Sequence, residues 1–177
     1  MLMSADQSTL VLVDLQKKLM PAINHGNLVL AESLRLSRIA KLLEVPVIAT
    51  EQIPEKLGHN DDDIAGFADQ TITKIHFDAC GGGGLVGAIP HDRNQVIIGG
   101  CETHVCMLQT ALSLLAAGFG VWVVENATGS RYDNDRDAAL ERLQQAGATI
   151  VTVEMVAFEW MQHCEHPRFR DVQKLIK

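Results

Sequence analysis

The sequence predicts an α/β protein built in three layers, a doubly wound six-stranded parallel sheet with helices on both faces. Two observations carry this prediction. Six short apolar, β-branched runs alternate with segments whose apolar residues recur at helical spacing, the pattern of a parallel sheet with crossover helices. Gly118 and Gly147 stand where helix C-termini would hand over to the next strand.

The first strand is predicted over Thr9 to Asp14, followed by a helix over Asn27 to Leu43, and the second strand over Val45 to Thr50. Pro54 to Gln70, rich in Gly, Asn and Asp, reads as a long surface loop leading to the third strand, Thr71 to Lys74. Cys80 to Gly84 holds four successive glycines and reads as a flexible break; either segment is placed to border a pocket. The fourth strand, Gln95 to Gly99, leads into a nearly all-apolar helix over Thr103 to Ala117, either a central buried helix or part of a subunit interface. A fifth strand, Gly120 to Val124, a helix over Asp133 to Gln145 with charged positions on one side, and a sixth strand, Thr149 to Val153, complete the alternation. From Glu154 onward the strand period is lost. Phe158, Trp160, Met161 and a helix after Pro167 read as a helical cover or an oligomer contact.

The 177 residues suit one domain spanning 1–177, large enough to bury about 70% of the surface the unfolded chain exposes. A net charge of -7 argues against a nucleic-acid partner, which needs a basic stripe. No run approaches the roughly 20 apolar residues of a spanning helix, and the N-terminus lacks a basic stretch followed by an apolar core. A cytoplasmic protein without a membrane partner is expected. Cys80, Cys101, Cys106 and Cys164 form no C-x-x-C pair and have no secretory context, so free thiols are expected.

Chemistry gathers at three strand ends. The first run closes on the carboxylate of Asp14, the third on the ammonium of Lys74, and the fourth stops at Gly99-Gly100 before a helix-compatible segment presents Cys106. Open α/β sheets bind ligands beyond the carboxyl ends of their strands, where these three groups could meet. Taken one at a time, Asp14 is equally a helix N-cap, Lys74 a surface lysine and Cys106 a small core filler.

These residues resemble the isochorismatase-like cysteine hydrolase superfamily, whose members include nicotinamidases and carbamoylsarcosine amidases. The likeness rests on Val13-Asp14-Leu15-Gln16, on Thr73-Lys74 with Phe77 following, and on Gly100-Cys101-Glu102-Thr103-His104-Val105-Cys106. It continues through Ala127 to Arg131, Asp135-Arg136, Ala139 to Leu143 and Gly147-Ala148. Ala49-Thr50-Glu51-Gln52 and the ending from His166 to Lys177 are similar to the isochorismatase domain-containing subgroup.

The resemblance implies a Rossmann-like fold and a triad of Cys106 as nucleophile, Asp14 as general acid/base and Lys74 as electrostatic support. It also implies an oxyanion hole from the backbone N–H groups of Glu102 and Cys106, and a cis peptide between Cys101 and Glu102. Superfamily members are often oligomeric, so a homo-oligomer, at least a dimer, is expected. A free thiol titrates near 8.5 and is mostly unionised at neutral pH; a helix N-terminus and Lys74 are expected to favour the thiolate. His104 competes as a base, but two residues from Cys106 on a helix it points roughly 200° away.

Nicotinamidases of the superfamily hold a metal with an aspartate and histidines after the second strand; here Thr50-Glu51-Gln52-Ile53-Pro54 stands there. His59 with Asp61, Asp62 and Asp63 reads as a solvated face, so neither metal nor cofactor is expected. Isochorismate hydrolases lack a cysteine at this position, so Cys106 points away from isochorismate. No glycine-rich nucleotide motif follows a strand.

The leading expectation is a metal-independent cysteine hydrolase that cleaves a C–N bond of a small amide through a thioester, with Phe77, Met20 and Ile53 lining its substrate pocket. Its rivals are a non-catalytic small-molecule-binding or regulatory protein that retains the pocket, and a redox-responsive protein in which Cys101 or Cys80 resolves an oxidised Cys106.

Overall fold

The structure, a computed structural model, describes residues 1–82 and 84–177. Its strands are β1 (Ser8–Val13), β2 (Val47–Gln52), β3 (Gln70–Lys74), β4 (Gln95–Cys101), β5 (Gly120–Gly129) and β6 (Thr149–Val151). They form one sheet, all pairs parallel, in the order β3-β2-β1-β4-β5-β6. The chain winds from β1 toward β2 on one side and from β4 toward β5 on the other. The switch point of this doubly wound sheet therefore lies between β1 and β4, where such folds open a crevice.

The helices are α1 (Gly26–Leu42), α2 (Pro54–Leu57), α3 (Asp62–Phe67), α4 (Leu85–Ala88), α5 (Leu108–Ala116), α6 (Asp133–Gln145), α7 (Val153–Met161) and α8 (Phe169–Ile176). Alternation along β1 sends its side chains into two cores. Leu10 and Leu12 pack with Leu36 and Ile39 of α1, Trp160 of α7 and Val172 of α8. Val11 and Val13 pack with Leu108, Ala111 and Leu114 of α5 and Leu143 of α6. All six residues of β1 are buried, as a parallel strand covered on both faces requires.

Several boundaries differ from the sequence reading. Pro54 to Gln70 is not a bare loop. Pro54 opens α2, where a missing N–H costs nothing, and Asp61 caps α3 by accepting a hydrogen bond from Asp63 N at 3.0 Å. β5 runs on to Gly129 because its pairing with β4 shifts register, from Ile98 opposite Val123 to Gly100 opposite Thr128; the polar Glu125-Asn126 hid that continuation. The segment from Thr103 begins as a π turn to Met107 and becomes α5 only at Leu108. Val153 opens α7 instead of closing β6, since the Thr152 hydroxyl accepts from Met155 N at 3.3 Å. Gly118 and Gly147 follow α5 and α6 with φ of 91° and 105°, as read. In the glycine run, Gly83 lies outside the described residues. No helix among the described residues is long and apolar enough to cross a membrane.

Candidate active site

Asp14 is the first residue beyond β1 and takes a left-handed backbone, φ 50°. Short polar side chains tolerate that conformation best. Its carboxylate is held from β2: Thr50 Oγ1 donates to Asp14 Oδ1 at 2.6 Å. The Asp14 N–H faces Thr50 O at 3.3 Å. Lys74 ends β3, two strand spacings or about 10 Å from β1, a gap that takes a long side chain to cross. Its Nζ passes over β2 and donates to Asp14 Oδ2 and to Gln52 Oε1, both at 2.7 Å.

The thiol arrives from β4. A Cβ on Gly100 would sit 2.1 Å from Val13 O, so only glycine lets β4 lie this close to β1 at that point. The Cys101–Glu102 peptide is cis, as the resemblance implied. The π turn then closes with Met107 N donating to Glu102 O at 3.2 Å; such turns recur at functional sites. Thr128 Oγ1 donates to Gly100 O at 2.8 Å and fastens the end of β4 to β5, while Arg131 Nε donates to Glu102 Oε1 at 2.9 Å. Cys106 is carried from this turn to the switch point, close enough for the charges of Asp14 and Lys74 to act on its thiol. The structure thus brings Asp14, Lys74 and Cys106 together.

The thiol itself differs from expectation. Burial pushes Cys106 up to about 12, the negative charge of Asp14 pushes the same way, and Lys74 opposes them without prevailing. A depressed thiol was expected from the turn and the lysine; with Cys106 only 7% exposed, desolvation wins. Cys80 is likewise raised to about 12 by burial and by Asp78, and Cys101 is raised by burial and Glu102.

His104 is engaged elsewhere. Its Nδ1 meets Ser130 Oγ at 2.9 Å and its Nε2 lies 3.8 Å from Asp135 Oδ2, consistent with a side chain turned away from Cys106. Cys101 belongs to the core on the opposite sheet face from Cys106, with its Sγ 3.8 Å from Met20 Sδ.

The three proposed wall residues do not share one cavity. Phe77, half-exposed, lines a cavity of about 460 Å³ with Ile75, Asp78 and Gln109, beside β3 and α5. Met20 lines another of about 740 Å³ with Lys17, His25 and Asp61. Ile53 lines neither; it stands at φ 40° as the N-cap of α2. Asp14, Lys74 and Cys106 line neither cavity.

At the position where nicotinamidases hold a metal, Glu51 is buried and already accepts from Asn60 N at 2.8 Å and meets His59 Nδ1 at 3.0 Å. Among the described residues no three His, Cys, Asp or Glu side chains converge as metal ligands, so the set does not fit one. The sequence places Thr50 and Gln52 in the subgroup likeness and in the segment after the second strand, without pointing to a role at the triad. Their i, i+2 spacing on β2 puts both on one face, and the pairing of β2 with β3 brings Lys74 across it.

A doubly wound parallel sheet with a buried Asp–Lys pair and a cysteine-bearing turn at its switch point defines a class of α/β proteins. The isochorismatase domain model matches residues 8–155, and the chain belongs to the isochorismatase family. It is 35% identical over 178 residues to mouse isochorismatase domain-containing protein 2A, covering 97% of this chain and 84% of the relative. Among solved structures it is similar to the MAR1 ribonuclease of Caenorhabditis elegans, with a TM-score of 0.94, 34% identity and coverage of 99% and 92% of the two chains. It is also similar to the YcaC gene product of Escherichia coli, described as an octameric hydrolase of unknown specificity, with a TM-score of 0.88, 25% identity and coverage of 99% and 94%.

Proposed function

We propose that this isochorismatase-family chain is a cysteine hydrolase that cleaves a C–N bond of a small amide without a metal or cofactor. The observation that carries the reading is the meeting of a thiol, a carboxylate and an ammonium at the switch point. With the Cys106 thiol raised to about 12, the nucleophile is formed in the attack itself. The sulfur bonds to the amide carbon as its proton passes to Asp14, and the N–H groups of Glu102 and Cys106 stabilise the oxyanion. Collapse breaks the C–N bond, Asp14 gives the proton to the leaving amine, and a thioester remains on Cys106. Water then adds to the thioester, loses a proton to Asp14, and the acid leaves as that proton returns to sulfur. Lys74 offsets the negative charge throughout. Phe77, Met20 and Ile53 are proposed to shape the substrate wall once ligand is bound.

Release of ammonia or amine from a panel of small amides, compared between wild type and Cys106→Ser, tests this. Turnover lost in the variant supports it; equal turnover in both contradicts it. The C. elegans neighbour is called a ribonuclease, and RNA belongs in the same panel, although a net charge of -7 speaks against a polyanionic substrate. The octameric state described for the E. coli neighbour supports a homo-oligomer here, which light scattering would detect; a cytoplasmic place of action is part of the same proposal.

One observation favours the second reading, a non-catalytic binding or regulatory protein. Asp14, Lys74 and Cys106 are 0%, 2% and 7% exposed, so the triad is nearly closed to solvent. A panel with no turnover but saturable binding would select that reading.

A further inference from the structure

The mechanism proposed above gives no role to Gln52, a buried polar side chain at the triad. Gln52 is the last residue of β2, 6% exposed, and lies directly opposite Lys74 in the β2–β3 register. Its amide is fixed at both ends. Nε2 donates to Ile75 O at 2.8 Å, which turns Oε1 toward Lys74 Nζ at 2.7 Å. Its backbone is fixed as well, since Gln52 N donates to Gln16 Oε1 at 2.8 Å and Gln52 O accepts from Gln16 Nε2 at 3.0 Å.

From this geometry we infer that Gln52 is a positioning residue for Lys74, holding the ammonium over β2 so that one of its N–H bonds is left for the thiol and substrate. The inference rests on the triad reading. An ammonium has three N–H donors; Asp14 takes one and Gln52 a second, so the direction of the third is set by the first two. Without Gln52 a four-carbon stem ending on a single carboxylate would be free to rotate about that contact. The chemistry of the amide matters. A neutral acceptor leaves the Asp14–Lys74 pair balanced, whereas a carboxylate at position 52 would add a buried negative charge with no partner of its own. Thr50, two residues earlier on the same face, grips Asp14 in a parallel way, so β2 supplies a separate hold for each member of the pair.

The experiment is the rate of Cys106 alkylation by iodoacetamide between pH 7 and 10, read by mass spectrometry of the Cys106 peptide. It compares wild type, Gln52→Met, Lys74→Met and the double variant. Below the thiol's titration, each unit of upward shift slows alkylation about tenfold. Lys74→Met is expected to slow it at least tenfold, Gln52→Met to slow it several-fold, and the double variant to match Lys74→Met alone. That non-additivity is the signature of a residue acting through the lysine, which a merely structural residue would not give.

Gln52→Met indistinguishable from wild type, or slowing alkylation by the same factor with and without Lys74, overturns the inference while leaving the triad standing. Lys74→Met without effect removes the support role of the lysine, and the inference falls with it. Should Gln52→Met fail to fold, Gln52→Ala removes the same oxygen with a smaller side chain. It is expected to slow alkylation several-fold with Lys74 present and not in its absence, and a Gln52→Ala profile that matches wild type overturns the inference equally.

Discussion

Lys74 Nζ lies 2.7 Å from Asp14 Oδ2, and the two side chains are 0% and 1% exposed, so this ion pair is withdrawn from water altogether. It joins the end of β3 to the end of β1 across an intervening strand. A buried pair of this kind is weak evidence for stability, because desolvation of both charges opposes their attraction. It sets a charge of each sign at the switch point, within electrostatic reach of the Cys106 thiol.

Removing one partner should therefore cost far more than removing both. Lys74→Met leaves a buried carboxylate uncompensated and is expected to lower stability by about 3–5 kcal/mol. Asp14→Asn in the same chain should recover much of that loss. Urea unfolding of the two single variants and the double variant measures both quantities, and strict additivity would contradict the pairing.

Stability should fall at alkaline pH, and the sign follows from the thiols. Cys106 and Cys80 are raised to about 12 in the folded protein, well above the value near 8.5 of a free thiol. Between those values the unfolded chain has lost these protons while the folded chain keeps them, so the stabilising contribution is full below about 8.5 and is lost as pH rises through the folded values. Melting temperatures from pH 7.5 to 10.5 should decline in wild type and decline less steeply in Cys106→Ser. Parallel curves would contradict the burial assigned to this thiol.

Two glycines separate backbone strain from steric exclusion. Gly100→Ala would place a Cβ 2.1 Å from Val13 O at φ 117°, against backbone that cannot move without parting β1 from β4, and no folded protein is expected. Gly118→Ala, at φ 91° with nothing within 4 Å, meets only the conformational penalty, about 1–2 kcal/mol. Soluble expression and thermal melting distinguish them.

His104→Ala should leave Cys106 alkylation within about twofold of wild type, because its imidazole is turned to Ser130 and Asp135. A tenfold slowing, equal to one unit of thiol shift, would restore it as a candidate base.

The layers and the strand ends were legible in the sequence because both depend on local patterns. Asp14 and Lys74 each close an apolar run, and glycines precede the Cys106 turn. What was not legible depends on contacts between distant segments. The continuation of β5 past Glu125 requires a register shift against β4 that no local period encodes. The reversal in the Cys106 thiol comes from how completely α5 and the sheet bury it, which composition does not reveal. Gln52 is invisible until β2 and β3 are paired, because only their register puts it under Lys74. Phe77 and Met20 follow strand ends in sequence, yet the loops carry them to separate cavities.

The most direct measurement is intact-protein and peptide mass spectrometry of wild type and Asp14→Asn, quenched in acid during incubation with an amide that the panel shows to bind. An added mass equal to the acyl group, located on Cys106, formed in wild type and absent or at least a hundredfold slower in Asp14→Asn, is the expected result. Turnover with no adduct at any quench time, or an adduct on a residue other than Cys106, would contradict the thioester mechanism at its first step.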